Sequence, residues 1–181
     1  MKPTEILEHE HRIITLVLDG AEREAQAVAA GGAVDTDRIS KILDFVRNFA
    51  DRCHHGKEEN VLFAKLGERG FPKEYGPIGV MLHEHDLGRE YIRTAAAALP
   101  AAGTGDADAR RQLAAALAGY VELLRAHIHK ENTVLFPMAE EALTPADKEE
   151  LIAAFERVER EEMGEGIHER YHQLAHELGG H

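Results

Sequence analysis

The sequence predicts an all-α fold: an up-down-up-down four-helix bundle with an additional C-terminal helix. Ala, Leu, Glu and Arg dominate the composition, and apolar residues recur at steps of three and four rather than in the alternation typical of strands. Breaks containing glycine or proline divide the chain into five helical stretches. A long phrase also occurs twice, so two similar helix pairs are expected to face each other around a pseudo-twofold axis.

The breaks indicate where each helix begins and ends. Four helices are expected to form the bundle, with approximate bounds Pro3 to the glycine pair at 31–32, Asp35 to Gly67, Pro77 to Leu99, and Asp106 to Leu143. Thr144 and Pro145 then act as a cap and a first-turn proline for a fifth helix, which Gly164 and Gly166 weaken. We therefore expect a bundle over residues 1–143 and a C-terminal helix over 144–181 that packs on it within the same domain.

Composition and charge exclude several classes of protein. The net charge is -12, and no block of Lys and Arg provides the basic patch that nucleic-acid binding needs. Charges or histidines interrupt every apolar run, so no membrane span is expected. The single cysteine, Cys53, rules out an internal disulfide framework, and the acidic start of the chain does not resemble a signal peptide. These features favour a cytoplasmic protein.

The repeated phrase is the most informative feature of the chain. Residues 54–63 read HHGKEENVLF and residues 127–136 read HIHKENTVLF, an offset of 73 positions. HEHR at 9–12 is similarly repeated as HEHD at 83–86, an offset of 74 positions. Each half of the chain therefore carries the same chemistry in the same order on a pair of helices.

Helical periodicity selects the residues that point into the bundle. His54 and Glu58 on the second helix, and His127 and Glu131 on the fourth, lie four apart in apolar stripes. The stripe on the fourth helix continues to Val134 and Met138, whereas His55 is expected at the edge of the second. On the third helix His85 shares a face with apolar residues. The first helix does not distinguish His9 from His11 by periodicity, and the repeat favours His11.

This set of residues predicts a metal site. Two carboxylates buried close together repel each other and need compensating positive charge, and lysines such as Lys57 and Lys130 are expected to point outward. The alternative is that each histidine is an ordinary hydrogen-bonded core residue, but a duplicated His-x-x-x-Glu pair with two further inward histidines is poorly explained in that way. Mixed imidazole and carboxylate ligands suit iron, manganese or zinc, and two carboxylates on facing helices can bridge two ions.

The motifs resemble the hemerythrin-like (HHE cation-binding) family over about residues 5–140. The resemblance is carried by EHR at 10–12, HHGKEENVLF at 54–63, EHD at 84–86 and HIHKENTVLFP at 127–137. It implies two iron ions with bridging carboxylates and a bridging oxo or hydroxo group, held by His11, His54, Glu58, His85, His127 and Glu131. Dioxygen carriers of the family have a histidine and an aspartate where this chain has Arg89 and Asn132. These departures count against a gas-carrier function.

Counting ligands suggests one more histidine. Two six-coordinate irons have about twelve positions, and the six residues with an oxygen bridge fill about ten of them. We therefore predict that His168, on the fifth helix, is a further ligand; His172 is the alternative, and a surface histidine is the competing interpretation. HERYH at 168–172 also matches the HExxH zinc pattern, but no third ligand is evident.

Three functions fit these residues. The first is a non-haem di-iron protein that binds or senses dioxygen or a related small oxidant. The second is a di-iron enzyme that acts on peroxide or nitric oxide, and the third is an iron-handling or iron-sulfur repair protein. The expected partner is a small diatomic or peroxide ligand; nucleic acid and membranes are not expected, and a protein partner is possible.

Overall fold

The computed structural model describes residues 1–164 and 166–180, and this part of the chain forms six helices. Their bounds are Pro3–Ala29 (α1), residues 36–68 (α2), Gly76–Gly103 (α3), residues 107–142 (α4), residues 145–163 (α5) and Ile167–Gly179 (α6). The all-α prediction is confirmed. Residues 165 and 181, which belong to the expected C-terminal segment, lie outside the described residues.

The predicted helix starts have identifiable caps. The side chains of Asp35 and Asp106 accept hydrogen bonds from backbone amides in the first turns of α2 and α4. Thr144 and Asp147 form a reciprocal capping box at the start of α5, with Pro145 in its first turn. One predicted end is wrong: α3 continues through Pro100 to Gly103.

Short π-helical stretches interrupt the α-helical geometry at the centre of the molecule. They cover Val46–His55 and Glu58–Leu62 in α2, and Glu131–Leu135 in α4. The last two occupy equivalent positions of the sequence repeat. A π turn holds more residues than an α turn, so the buried face advances in steps of four. Leu135 and Ala139 are therefore buried, whereas Val134 and Met138, expected in the core, are 48% and 36% exposed.

Two apolar clusters lie on either side of a polar layer. One cluster includes Ile13, Ala50, Ile92 and Leu124, and the other includes Leu7, Leu62, Met81 and Leu135. On each of the first four helices the inward-facing histidines and glutamates fall between residues of the first cluster and residues of the second. The polar residues are thereby enclosed by hydrophobic packing at both ends.

The C-terminal segment turns back along the outside of the other helices. It divides into α5 and α6, and the connection contains Gly164 and Gly166, both with positive φ. Helix α6 packs closely on α1: a Cβ added to Gly20 would lie 2.5 Å from the carbonyl oxygen of Leu178. Among the described residues, no helix has both the length and the apolar surface that crossing a membrane would require.

Candidate metal centre

Six of the seven predicted ligands meet in the polar layer. The side chains of His11, His54, Glu58, His85, His127 and Glu131 are each at most 2% exposed. Their nitrogen and oxygen atoms form two adjacent groups that share Glu58 and are compact enough to hold a metal ion each. The helical periodicity and the repeat therefore selected side chains that the fold brings together.

The two carboxylates each face both halves of the centre. Oε1 of Glu58 lies 3.4 Å from Nε2 of His54, and its Oε2 lies 3.2 Å from Nε2 of His85. Glu131 repeats the pattern, with Oε2 3.1 Å from Nε2 of His11 and Oε1 3.2 Å from Nε2 of His127. Each glutamate thus directs one oxygen towards each of two adjacent positions, as a bridging ligand would.

A fifth histidine completes one of the two groups. His55 is 5% exposed and lies with Glu58, His85 and His127, its ring stacked on that of His85 at 3.8 Å between centroids. An α-helical rotation of about 100° per residue predicts His55 at the helix edge. The π stretch Val46–His55 turns less per residue, so both His54 and His55 face inward. The repeat does indicate that this position faces inward, since the equivalent residue in the second half, Ile128, is apolar.

The inner atoms of the cluster have no hydrogen-bond partners among the described residues. They are both carboxylate oxygens of Glu58, both of Glu131, and Nε2 of His11. Nε2 of His85 and Nε2 of His127 also face each other at 3.1 Å. A buried acceptor without a donor costs free energy of about 1–3 kcal/mol, and charged groups cost more. This donor set of lone pairs converging on one centre fits two cations of the transition-metal type.

The outer nitrogen of every one of these histidines is held by an oxygen. Nδ1 of His54 donates to Glu10 at 2.8 Å, and Nδ1 of His127 donates to Glu84 at 2.9 Å. Those of His85, His55 and His11 donate in the same way to Glu59, Asp51 and Asn132. A proton fixed on Nδ1 leaves the lone pair of Nε2 pointing into the centre, which is the arrangement found around metal-bound histidines.

These outer contacts follow the sequence repeat. Glu10 and Glu84 are equivalent by the 74-residue offset, and their partners Lys57 and Lys130 are equivalent by the 73-residue offset. Glu59, which holds His85, is likewise equivalent to Asn132, which holds His11. The pseudo-twofold symmetry inferred from the sequence therefore extends beyond the inner residues to the groups that orient them.

Arg89 and Asn132, the two departures from the dioxygen carriers, both take part in this outer layer. Asn132 lies 2.7 Å from Nδ1 of His11. Arg89 donates to Asp51 and to Glu59, the acceptors for His55 and His85. Although neither side chain is within the inner cluster, both help to fix the imidazoles that are.

Charge coupling dominates the electrostatics of the metal-free centre. Burial alone would lower the pKa of His54, but the charge of Glu58 and the hydrogen bond to Glu10 raise it to about 10. His127 is affected in the same way by Glu131, and its pKa is also about 10. Burial and the neighbouring His85 instead lower the pKa of His55 to about 3. Without metal, a second proton on Nε2 of His54 and of His127 would therefore compensate the two glutamates, in the place that a metal ion would take.

His168 does not reach the inner cluster. Its Nε2 lies 3.4 Å from Oε1 of Glu10 and 3.8 Å from Oε1 of Glu159, on the outer side of His54. The reason is that α6 begins beyond the glycine-containing connection and packs against the outside of α1 and α2, where Phe49 and His172 contact the His168 ring. The position of the fifth imidazole is occupied by His55.

Lys57 corrects a second expectation, because it is completely buried rather than outward-facing. Its ammonium lies 2.5 Å from Glu10 and 2.5 Å from Glu159. Periodicity predicts an outward position for Lys57 because it identifies only the metal-facing and apolar side of the helix, and a cation buried behind the ligands gives no such pattern. Lys130 is 40% exposed and bonds Glu84.

Two other sequence features have structural explanations. Cys53 is buried, and burial raises the pKa of its thiol to about 12, so it packs as an apolar residue. The HExxH histidines, His168 and His172, have ring centroids 4.6 Å apart, but they share no ligand group within the described part of the chain.

The fold and the site define a class: a helical protein whose buried imidazoles and carboxylates are arranged to bind metal. Comparison with known families agrees. The family model described as "Hemerythrin HHE cation binding domain" matches residues 2–139. This chain belongs to that family, and the resemblance found in the motifs is confirmed.

Individual relatives are more distant. The chain is 26% identical over 161 residues to the uncharacterized protein Rv1995 of Mycobacterium tuberculosis, covering 89% of this chain and 62% of the relative. It is 35% identical over 104 residues to the iron-sulfur cluster repair protein YtfE of Edwardsiella ictaluri (56% of this chain, 46% of the relative) and 39% identical over 92 residues to that of Musicola paradisiaca (48% and 40%). The chain thus spans less than two thirds of the length of these curated relatives. No solved structure gives a significant match.

Proposed function

We propose that this chain is a non-haem di-iron protein that binds or senses dioxygen or a related small oxidant. His11 and His54 would hold one iron, and His55, His85 and His127 the other, with Glu58 and Glu131 bridging the two together with an oxo or hydroxo group. The observation that carries the proposal is the division of the glutamate oxygens between the two histidine groups, with no hydrogen bond to any of these oxygens from the residues that the structure describes.

The ligand count leaves one position for an exogenous molecule. With about six positions per ion, three imidazoles, two carboxylate oxygens and the bridge would saturate one iron, whereas His11 and His54 would leave the other iron one ligand short. In the sequence repeat the position of His55 corresponds to Ile128, which packs against the apolar core. Bound iron would supply reversible one-electron chemistry, and Ile128 would present an apolar side chain to a small, weakly polar ligand.

Anaerobic loading with Fe(II), followed by air and then by removal of dioxygen, tests this proposal by absorption spectroscopy. We expect two irons per chain and a visible band that appears with dioxygen and disappears when it is removed. Glu58→Gln should lose both the second iron and the band. Fewer than two irons in the unaltered chain, or a spectrum that does not respond to dioxygen or other small oxidants, would contradict the proposal.

The second candidate is a di-iron enzyme that acts on peroxide or nitric oxide, or an iron-handling or iron-sulfur repair protein. The likeness to the two iron-sulfur cluster repair proteins favours it, over about half of this chain. Irreversible oxidation in air accompanied by catalytic consumption of peroxide or nitric oxide would support the enzyme. Transfer of the bound iron to an apo iron-sulfur protein would support repair.

The proposal also covers the arrangement of the helices and the location of the protein in the cell. Helices α1 and α3 pass from the cluster with Leu7 and Met81 to the cluster with Ile13 and Ile92, and α2 and α4 pass in the opposite sense. This alternation supports an up-down-up-down bundle over residues 1–143, with residues 144–181 as a packed C-terminal extension. We further propose a cytoplasmic location, where dissolved oxidants would be its ligands.

A further inference from the structure

A cavity of about 220 Å³ lies beside the metal centre, between α2, α3 and α4. His55 and His85 form the wall shared with the centre, on the side of the proposed three-histidine iron and not on the side proposed for the exogenous ligand. Val46, Ile92 and Leu124 form an apolar surface. The cavity is therefore separate from the position proposed for the small oxidant.

A glycine makes room for this cavity. A Cβ at Gly88 would lie 3.4 Å from the Tyr120 ring, so the absent side chain leaves space above that ring. The Tyr120 side chain is 3% exposed, and its hydroxyl has no hydrogen-bond partner among the described residues. A buried hydroxyl without a partner is costly, and a ligand acceptor would satisfy it.

The charges around the cavity favour an anion. Asp51 is paired with Arg89, and Glu84 is bonded to His127 and Lys130. Arg47 and Arg93 also line the cavity, are exposed, and form no ion pair in the described part of the chain. Arg89 is therefore neutralised by its carboxylate partners, and Arg47 and Arg93 are the lining cations that remain available to an anion.

We propose that the cavity binds a small organic monocarboxylate with a planar apolar body. Its ring would occupy the apolar surface, its carboxylate would accept a hydrogen bond from Tyr120, and Arg47 and Arg93 would attract the negative charge. An apolar cavity of about 150 Å³ holds benzene, so this one has room for a ring and a carboxylate. The binding itself does not depend on iron or on the proposed reaction with oxidants.

Titration calorimetry with benzoate tests the inference in metal-free and iron-loaded protein. We expect saturable one-to-one binding to both forms, at least about tenfold tighter than acetate or the neutral benzamide. Gly88→Leu, which fills the cavity, should abolish binding. Arg47→Gln with Arg93→Gln should weaken it about tenfold, whereas the surface pair Arg111→Gln with Arg157→Gln should leave it unchanged.

Tyr120→Phe separates ligand recognition from structure. It should weaken benzoate binding about tenfold without lowering the melting temperature, because the hydroxyl has no partner in the free protein. Absence of benzoate binding, equal affinity for acetate, or benzoate binding that requires iron and survives Gly88→Leu would overturn the inference. None of these outcomes bears on whether the centre holds two irons, which iron analysis of the same samples reports separately.

Discussion

The ammonium group of Lys57 lies 2.5 Å from Oε1 of Glu10, and neither side chain is more than 2% exposed. Oε2 of the same glutamate accepts the hydrogen bond from Nδ1 of His54. Burial would raise the pKa of Glu10, but hydrogen bonds from His168 and His54 and the charge of Lys57 keep it well below its usual value. A buried cation thus maintains the charge of a carboxylate that orients a metal-facing imidazole.

Replacing this lysine should be more damaging than replacing its equivalent in the repeat. Lys57→Met leaves Glu10 buried without its cation, and we expect the free energy of unfolding to fall by about 3–5 kcal/mol. Lys130→Met removes a partner that is 40% exposed from Glu84 and should cost about 1 kcal/mol or less. Urea denaturation of both metal-free variants measures the difference; equal losses would refute the special role of Lys57.

His55 and His168 should differ in their effect on metal content. His55→Ala removes a side chain that lies within the three-histidine group, so bound iron should fall from two towards one per chain. His168→Ala removes only a contact with Glu10 outside the inner cluster, and two irons should remain, with affinity reduced less than about tenfold. Iron analysis after gel filtration gives the result. Loss of iron in His168→Ala alone would restore His168 as a ligand.

Ile128→His tests the position proposed for the exogenous ligand. Because Ile128 is equivalent to His55 in the repeat, an imidazole there would saturate the second iron. We expect azide affinity of the oxidised, iron-loaded protein to fall at least about tenfold, while two irons stay bound. Ile128→Leu is the matched control and should bind azide normally. Unchanged azide binding in the histidine variant would place the ligand elsewhere.

The metal-free protein should lose stability as pH rises. His54 and His127 have folded pKa values of about 10, above their usual 6.5, so their contribution is complete below pH 6.5 and is lost towards pH 10. His55, whose pKa is lowered to about 3, adds a loss as pH falls below 6.5. The melting temperature in a chelator should therefore peak near pH 6.5 and fall by on the order of 5–10 °C by pH 9.

Metal should reverse this trend. Zinc binding replaces the protons on the imidazoles, so the zinc-loaded protein should become more stable as pH rises from 6 to 8. Melting curves with and without two equivalents of zinc compare the two forms directly. Parallel pH profiles would show that the centre does not exchange protons for metal.

The sequence by itself determined the helical fold, the repeat and the six residues from His11 to Glu131 that converge at the centre. Apolar periodicity reports which side of a helix is buried, and the duplication reports which residues of the two halves are equivalent. The sequence also located the cap at Thr144 and the helix starts near Asp35 and Asp106, because an N-cap depends on contacts within one turn.

The tertiary structure decided which histidine completes the cluster and which cation lies behind it. The π stretches in α2 and α4 change the helical rotation where the polar residues pack, so His55 turns inward and Val134 turns outward. Glu159 reaches Lys57, and His168 reaches Glu10, only because α5 and α6 return across the bundle; both contacts join residues more than 100 positions apart. Such rotations and long-range contacts arise from packing between helices, which the residue spacing along one helix does not encode.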